Sequence, residues 1–296
     1  MTRPSFRLRA LRLGMRLFEK PKLAKRGTPE SANRDFERAA PYLFSVPKGT
    51  VVQDEPAFAR ITCGTVRPDA AILYLHGGAF VTGSRRSYRA MAARLAKRTG
   101  VAVYLPDYPK LQQAPFPAAP DAVQAAWDAL LAQGFAPHSI VLAGDSAGGN
   151  LLFGLLATLL QRGEKPAAVL AFSPWTDMTL SGESLILNKD KDPLLPVSRM
   201  QEAVDLYLGP ADRRDPRASP LFADFPDPPP ALIQVGRDEV LFSDAARMAD
   251  KLGGTLDVWA DVFHVWQMFD GRLPEANAAM RRAAAFVQTS LDRAKR

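Results

Sequence analysis

The chain has 296 residues, of which 47% are hydrophobic, enough for one large α/β domain. Its formal net charge is +7, but residues 1–38 hold eleven Lys or Arg against four Asp or Glu, so the remainder is close to neutral. This distribution argues against nucleic-acid binding, which needs basic residues spread over a folded surface. The single cysteine, Cys63, excludes an internal disulfide and favours a cytoplasmic location.

The N-terminal segment, residues 1–27, alternates Arg with Leu, Met and Phe. Arginines interrupt every apolar stretch that could serve as a signal peptide, and no stretch approaches the ~20 residues of a membrane span. In a helix, one face would carry Leu8, Leu11, Met15 and Phe18. The pattern predicts a basic amphipathic helix, which either packs over the protein body, the interpretation we favour, or lies on anionic lipid.

The elements that follow predict an α/β fold. The runs at 50–55 and 58–64 are typical of an antiparallel edge. From residue 70 onward, short apolar runs alternate with amphipathic helical patterns, which indicates a mostly parallel central sheet flanked by helices. The predicted strands are 70–78, 101–108, 139–144, 167–173, 231–236 and 255–260, and the predicted helices are 88–98, 120–132, 150–162, 243–252 and 274–292.

One region, residues 179–225, interrupts this alternation between two strands. It is polar and rich in turn residues, with a single helical pattern at 198–208. The sequence therefore predicts an insertion over the strand ends, where ligands bind in such sheets.

A candidate nucleophile stands at one strand exit. Gly144-Asp145-Ser146-Ala147-Gly148 fits G-x-S-x-G between a strand and a helix, the setting of a nucleophile elbow. A dinucleotide fingerprint would need glycine in place of Ser146, and a phosphate loop would need Gly-Lys-Ser/Thr. A turn of small residues remains the alternative until a base is found for the serine.

The base is predicted by elimination, because the chain has only three histidines. His138 precedes the strand that leads to the elbow, ~15 Å from its far end. His76 begins a glycine loop. We therefore predict that His264, in the loop after the last strand, is the base.

The orienting acid should lie between serine and histidine in the chain. Asp238 follows a strand directly and is the predicted acid. Asp177 is the second candidate and Glu239 a weaker one, whereas Asp244 suits helix capping and Asp257 lies within a strand.

The loop after the first strong parallel strand, "HGGAF" at 76–80, predicts an oxyanion hole. The backbone N–H groups of Gly78, Ala79 and Ala147 are expected to hold the developing alkoxide, with Gly77 shaping the loop. No cluster of His, Cys and carboxylates has metal-ligand spacing, so neither a metal nor an organic cofactor is expected.

Taken together, these motifs resemble the hormone-sensitive-lipase-like family of α/β-hydrolases, also called family IV bacterial esterases. The resemblance rests on "YLHGGAFVTGS" (74–84), "PFPAAPDAV" (115–123), "GDSAGGNL" (144–151), "DPLLP" (192–196), "GRDEVLFSDA" (236–245) and "FHVWQMF" (263–269). It implies a carboxylic ester hydrolase in which Ser146 is the nucleophile, His264 the base and Asp238 the orienting acid. It also implies one domain over 1–296, a cap built from about 1–45 and 179–225, and often a homodimer.

The sequence departs from the family pattern in two places. Ala79 stands where the family usually has a third glycine, which keeps the N–H but adds a methyl group. Residues 109–113, "PKLQQ", replace the usual Arg-Leu-Ala-Pro-Glu and so remove a charged pair. Any support that this pair gives the active-site loops must come from elsewhere in the chain.

Small to medium acyl esters are the expected substrates. The expected pocket walls are apolar: Phe80, Trp175, Met178, Leu194, Val265 and Trp266, with core packing as the alternative for each. Three other functions remain open. They are lactone hydrolysis or small-molecule deacetylation by the same triad, lipolysis at a membrane surface, and ligand binding without catalysis.

Overall fold

An eight-stranded sheet forms the centre of the computed structural model, which describes residues 3–25 and 27–295. The strand order is β1-β2-β4-β3-β5-β6-β7-β8. β2 is antiparallel to β1 and β4, and the remaining pairs are parallel. The strands are β1 (Thr50–Asp54), β2 (Ala59–Cys63), β3 (Arg67–Leu75), β4 (Val101–Leu105), β5 (Ile140–Asp145), β6 (Ala168–Phe172), β7 (Ala231–Gly236) and β8 (Thr255–Trp259).

Helices cover both faces of this sheet. They are α1 (Phe6–Gly14), α2 (Lys20–Ala24), α3 (Pro29–Leu43), α4 (Arg89–Thr99), α5 (Ala118–Ala132), α6 (Ser146–Gln161), α7 (Ser184–Leu187), α8 (Met200–Leu208), α9 (Phe242–Lys251) and α10 (Pro274–Arg293). Alternate residues of β5 enter the two cores, with Leu142 in the core that includes α5 and α6, and Val141 in the core that includes α4 and α10. Strands buried on both faces explain the unbroken apolar runs of the sequence.

The structure confirms the predicted α/β fold, with its antiparallel edge and mostly parallel sheet. Several predicted boundaries differ by a few residues, and the one that matters for the site is that of the helix expected at 150–162, which begins four residues earlier, at Ser146. Small residues at 147–149 carry little helical periodicity, which hid this first turn. The nucleophile candidate is thus the first residue of α6, directly after β5.

The first helix of the N-terminal segment packs on the body through an apolar face. Leu8 is fully buried, and Leu11 and Met15 pack against the same cluster, which includes Phe263. Phe18 was predicted on this face, but its side chain is 71% exposed. A π-helical turn at Met15–Glu19 explains the difference, since its wider turn rotates later residues away from the α-helical register.

Basic side chains of this segment hold the loop at 189–192, which belongs to the predicted insertion. Arg16 donates to the carbonyl of Asp190 at 2.8 Å, and Lys20 donates to the carbonyls of Lys189 (2.6 Å) and Asp192 (2.7 Å). In the described part of the chain, no helix is long and apolar enough to span a membrane.

Candidate active site

Ser146 occupies a sharp turn between β5 and α6. Its φ of +52° lies in the left-handed region, which is uncommon for a residue with a side chain and marks local strain. A Cβ atom at Gly148 would lie 2.0 Å from the carbonyl oxygen of Leu75 and 2.4 Å from that of His76. Only glycine fits there, which is the crowding expected at a nucleophile elbow.

The first turn of α6 leaves backbone donors beside this serine. Because the first N–H groups of a helix have no partner within it, the N–H of Ala147 points out of the helix start. The helix dipole adds partial positive charge at the same end. Both features favour an anion next to Ser146.

His264 lies in the loop after β8 and is buried. Its Nδ1 is 2.8 Å from Oε2 of Glu239. Since a carboxylate only accepts hydrogen bonds, Nδ1 carries the proton, and Nε2 is left as the nitrogen that can accept a proton from a hydroxyl group.

Glu239 is fully buried in the turn after β7, and both of its carboxylate oxygens have partners. Oε1 accepts hydrogen bonds from the Ser173 hydroxyl at 2.8 Å and from the backbone N–H of Gly236 at 2.6 Å. The side chain is therefore fixed in one orientation, with Oε2 directed at His264.

The pKa of His264 is raised above its ordinary value. Burial lowers it, but the hydrogen bond and negative charge of Glu239 raise it by more, and the charges of Asp192 and Asp145 act in the same direction. The imidazolium that forms when this residue takes a proton is thus stabilised by buried carboxylates.

The placement of Asp238 as the partner of His264 is wrong. Its Oδ2 lies 2.6 Å from a guanidinium nitrogen of Arg12, and its side chain is partly exposed. Neighbouring residues in this tight turn direct their side chains to different sides, so Asp238 meets α1 while the longer Glu239 reaches His264. The sequence offered both carboxylates at one strand exit, and only the backbone direction distinguishes them.

The other acidic candidates are used elsewhere. Asp177 accepts hydrogen bonds from Thr179 and Ser181 and pairs with Arg247 at 3.0 Å. Asp244, in the first turn of α9, accepts the backbone N–H groups of Thr176 and Asp177. Asp257 lies within β8, as predicted, and pairs with Arg282.

Asp192 holds the turn that carries Glu239. Its Oδ2 accepts the N–H of Val240 at 2.9 Å, and its Oδ1 accepts the N–H groups of Leu194 and Leu195 at 2.8 and 3.0 Å. Apart from the "DPLLP" motif, no sequence signal pointed to this role. The insertion is thereby tied to the loop of the acid.

The glycine loop after β3 is anchored by the residue that precedes Ser146. The N–H of Gly77 donates to Oδ1 of Asp145 at 3.1 Å, and the hydroxyls of Tyr74 and Tyr88 donate to the same carboxylate at 2.8 and 3.0 Å. Burial raises the pKa of Asp145 to about 6, although the tyrosine hydrogen bonds oppose this rise. Gly77 therefore shapes the loop and does not offer its N–H to a ligand.

The next two residues keep their N–H groups free. Gly78 has a φ of +116°, and a Cβ atom there would lie 2.2 Å from the carbonyl oxygen of Thr82. Ala79 follows with a φ of +53°. Within residues 3–25 and 27–295, neither N–H donates to a protein acceptor. These groups suit an oxyanion ligand.

Lys110 supports this loop from the segment that departs from the family pattern. His76 donates from Nδ1 to the carbonyl of Gly77 at 2.8 Å, and its Nε2 lies 3.4 Å from Nζ of Lys110. Lys110 also donates to the carbonyl of Tyr108 at 2.6 Å. Burial lowers the pKa of this lysine to about 8. The buried ammonium group of Lys110 thus supplies part of the support for the active-site loops that the missing charged pair would otherwise give.

The six predicted wall residues do not share one environment. Phe80, Trp175 and Met178 belong to the larger core, where Phe80 stacks on Tyr207 with ring centroids 3.8 Å apart. Trp266 is fully buried in the cluster beneath α1, so the structure favours core packing for it. Leu194 is partly exposed beside Asp192. Val265 follows His264 with a φ of +52°.

Comparisons with known proteins agree with this architecture. A family profile described as an alpha/beta hydrolase fold matches residues 72–268. An acetyl-hydrolase of Streptomyces hygroscopicus is 38% identical over 257 residues, covering 83% of this chain and 85% of that protein. An esterase of Acinetobacter venetianus is 39% identical over 228 residues, covering 75% of each. A crystal structure of an esterase from the bacterial hormone-sensitive lipase family superposes with a TM-score of 0.91, at 34% identity, over 98% of this chain and 100% of that one.

The profile match extends over more than half of the chain and includes the elbow, the glycine loop and His264. The protein belongs to the α/β-hydrolase family. Within that family, its structural neighbours are the bacterial esterases related to hormone-sensitive lipase, as the sequence motifs predicted.

Proposed function

We propose that this carboxylic ester hydrolase cleaves small to medium acyl esters with Ser146, His264 and Glu239 as its triad. The observation that carries the proposal is the buried contact between Nδ1 of His264 and Glu239, because it leaves Nε2 of His264 free to act as a base at the elbow. Ser146 is the nucleophile, and Glu239 takes the role that the sequence had given to Asp238.

The reaction follows from these roles. Ser146 attacks the acyl carbon while Nε2 of His264 takes the hydroxyl proton, and the same proton then goes to the departing alcohol. Water repeats the sequence on the acyl-enzyme and releases the acid. The carboxylate of Glu239 stabilises the imidazolium, in agreement with the raised pKa of His264.

The oxyanion of each tetrahedral intermediate is assigned to the N–H groups of Gly78, Ala79 and Ala147. These donors are held in place before the substrate arrives, since Asp145 and His76 fix Gly77 and the start of α6 fixes Ala147. Donors that need no reorganisation stabilise the transition state more than donors in water do.

Two observations support a small or medium acyl group. Phe80 ends the glycine loop, and Trp175 lies in the loop after β6. The ring of Phe80 packs on those of Trp175 and Tyr207, so aromatic side chains lie beside the oxyanion loop. The similar protein of Streptomyces hygroscopicus is named an acetyl-hydrolase. Leu194 and Val265 remain proposed wall residues, and so does Met178.

An acyl-chain series tests the proposal. Initial rates on p-nitrophenyl esters from acetate to palmitate should peak at the shorter chains and vanish in Ser146→Ala. A peak at the longest chains would favour a lipase. Faster turnover of lactones or of acetylated small molecules would favour the corresponding alternative, and no turnover of any ester would favour a ligand-binding protein.

We further propose that residues 1–45 and 179–225 form a cap on a single domain, that the protein forms a homodimer, and that it resides in the cytoplasm. Contacts between the two segments support the cap: Arg199 donates to the carbonyl of Lys25, and Arg16 and Lys20 hold the loop at 189–192. Size-exclusion chromatography with light scattering tests the dimer. The cytoplasmic proposal rests on the lone, buried Cys63.

A further inference from the structure

The outward side of α1 carries an apolar stripe that the protein body does not cover. Phe6, Ala10 and Leu13 recur at intervals of four and three residues, which places them along one side of α1, and Leu17 follows in the π-helical turn at Met15–Glu19. The side chains of Phe6, Leu13 and Leu17 are 77%, 57% and 56% exposed. Leu8, on the opposite side, is fully buried, so this helix is apolar on two sides, and the body uses only one.

Exposed apolar side chains are concentrated in the two segments that are proposed to form the cap. Phe18 and Leu23 belong to the same N-terminal segment. The other large exposed hydrophobic residues of the predicted cap are Tyr42, Leu43, Ile186, Leu187 and Leu206. In the remainder of the described chain, only Val46, Val51 and Val258 are comparable. A concentration of this kind marks an interaction surface.

Positive charge accompanies the stripe. Arg3, Arg9 and Lys22 are exposed, and within the described residues their side chains make no salt bridge or hydrogen bond. Arg12 and Lys20, by contrast, are used in contacts with the body. The basic surplus of the N-terminus is therefore partly free to meet an anionic partner.

A shallow groove beside the stripe adds two guanidinium groups. It has a volume of about 440 Å³, and its lining combines apolar side chains with Arg7 and Arg272. Phe6 and Ala10 belong to both the groove and the stripe. Apolar contact and positive charge are thus offered together, as at the surface of helices that lie in a membrane interface.

We propose that the outward side of α1 docks on an anionic bilayer surface. A second copy of the chain would bring two basic helices face to face, whereas anionic headgroups neutralise Arg3, Arg9 and Lys22 while the acyl region takes up Phe6, Leu13 and Leu17. The surface is separate from the triad. Docking therefore stands or falls independently of the ester proposed as substrate.

Vesicle co-sedimentation of the full chain tests this surface. Vesicles of phosphatidylcholine with about a third phosphatidylserine should retain the protein at about 0.05 M salt, and retention should fall steeply at about 0.5 M. Vesicles of phosphatidylcholine alone should bind it at least ~10-fold less. Replacing Arg9 by Gln should weaken binding by ~5-fold, the effect of one basic residue near the surface.

The apolar stripe is tested by the double substitution Leu13→Gln and Leu17→Gln, which should weaken binding to anionic vesicles by more than ~10-fold. Val51→Gln is the matched control, because Val51 is 54% exposed on the edge strand β1, outside the N-terminal segment, and its binding should equal that of the parent. Thermal stability and turnover of a water-soluble ester should stay unchanged in both variants.

Two results would overturn the proposal. One is equal vesicle binding by the Leu13/Leu17 variant and the parent protein. The other is the absence of binding to anionic vesicles, which would assign the surface to a second copy if the same variant dissociates a dimer. Neither result bears on ester hydrolysis, which is measured separately.

Discussion

Replacing Glu239 by Gln should nearly abolish hydrolysis although it changes neither the size nor the burial of the side chain. The Ser173 hydroxyl and the Gly236 N–H both donate to Oε1, so the amide oxygen of glutamine must take that place. Its NH₂ group then faces Nδ1 of His264, which becomes an acceptor, and the ring proton moves to Nε2. A protonated Nε2 cannot take the proton of Ser146.

The expected loss in kcat is ~10⁴, the effect of holding a triad histidine in the wrong tautomer. Asp238→Asn is the matched control, since it neutralises the adjacent carboxylate. That change breaks a partly exposed pair with Arg12, worth at most about 1 kcal/mol, and even complete transmission to the transition state would cost only about fivefold.

Initial rates on p-nitrophenyl acetate, with circular dichroism as a check on folding, separate the two variants. Asp177→Asn serves as a second control. It weakens the hydrogen bonds from Thr179 and Ser181, so it should lower the melting temperature and leave kcat nearly unchanged. A larger loss of kcat in Asp238→Asn than in Glu239→Gln would refute the assignment of the acid.

The other predictions concern the nucleophile, the base and the loop. Ser146→Ala should lower kcat by ~10⁴ to 10⁶ with little change in the melting temperature; hydrolysis within tenfold of the parent rate would contradict its role. Because the neutral form of His264 is the base and its pKa is raised, kcat/KM should fall with decreasing pH through a pKa above ~6.5, and chelators should not change the profile. A limb below that value would contradict the influence of Glu239. Lys110→Met leaves Nε2 of His76 without its donor and should lower kcat by ~5- to 30-fold with KM nearly constant, as measured by steady-state kinetics. A lower melting temperature with unchanged kcat would indicate a purely structural role.

Much of the architecture could be predicted because its signals are local. Each buried strand is a short apolar run, and the elbow and the glycine loop are contiguous motifs at strand exits. The base must follow the serine in the chain, which leaves His264, since His76 and His138 both precede Ser146.

The partners of these residues depend on side-chain direction, which a sequence does not display. Asp238 and Glu239 are adjacent, and only the path of the backbone turn sends one to Arg12 and the other to His264. The role of Lys110 was hidden for a different reason. A lysine in a loop is usually solvated, and its burial against His76 arises from tertiary contacts.

The carboxylate of Asp145 joins two parts of the machinery that come from separate strands. It sits next to Ser146 in the chain, and it holds the N–H of Gly77, so the nucleophile and the oxyanion donors share one rigid attachment. A displacement of β5 is therefore transmitted to the glycine loop through this hydrogen bond, which limits the change in distance between the nucleophile and the oxyanion donors. The relative position of the nucleophile and the oxyanion donors is thereby maintained during small motions of the sheet.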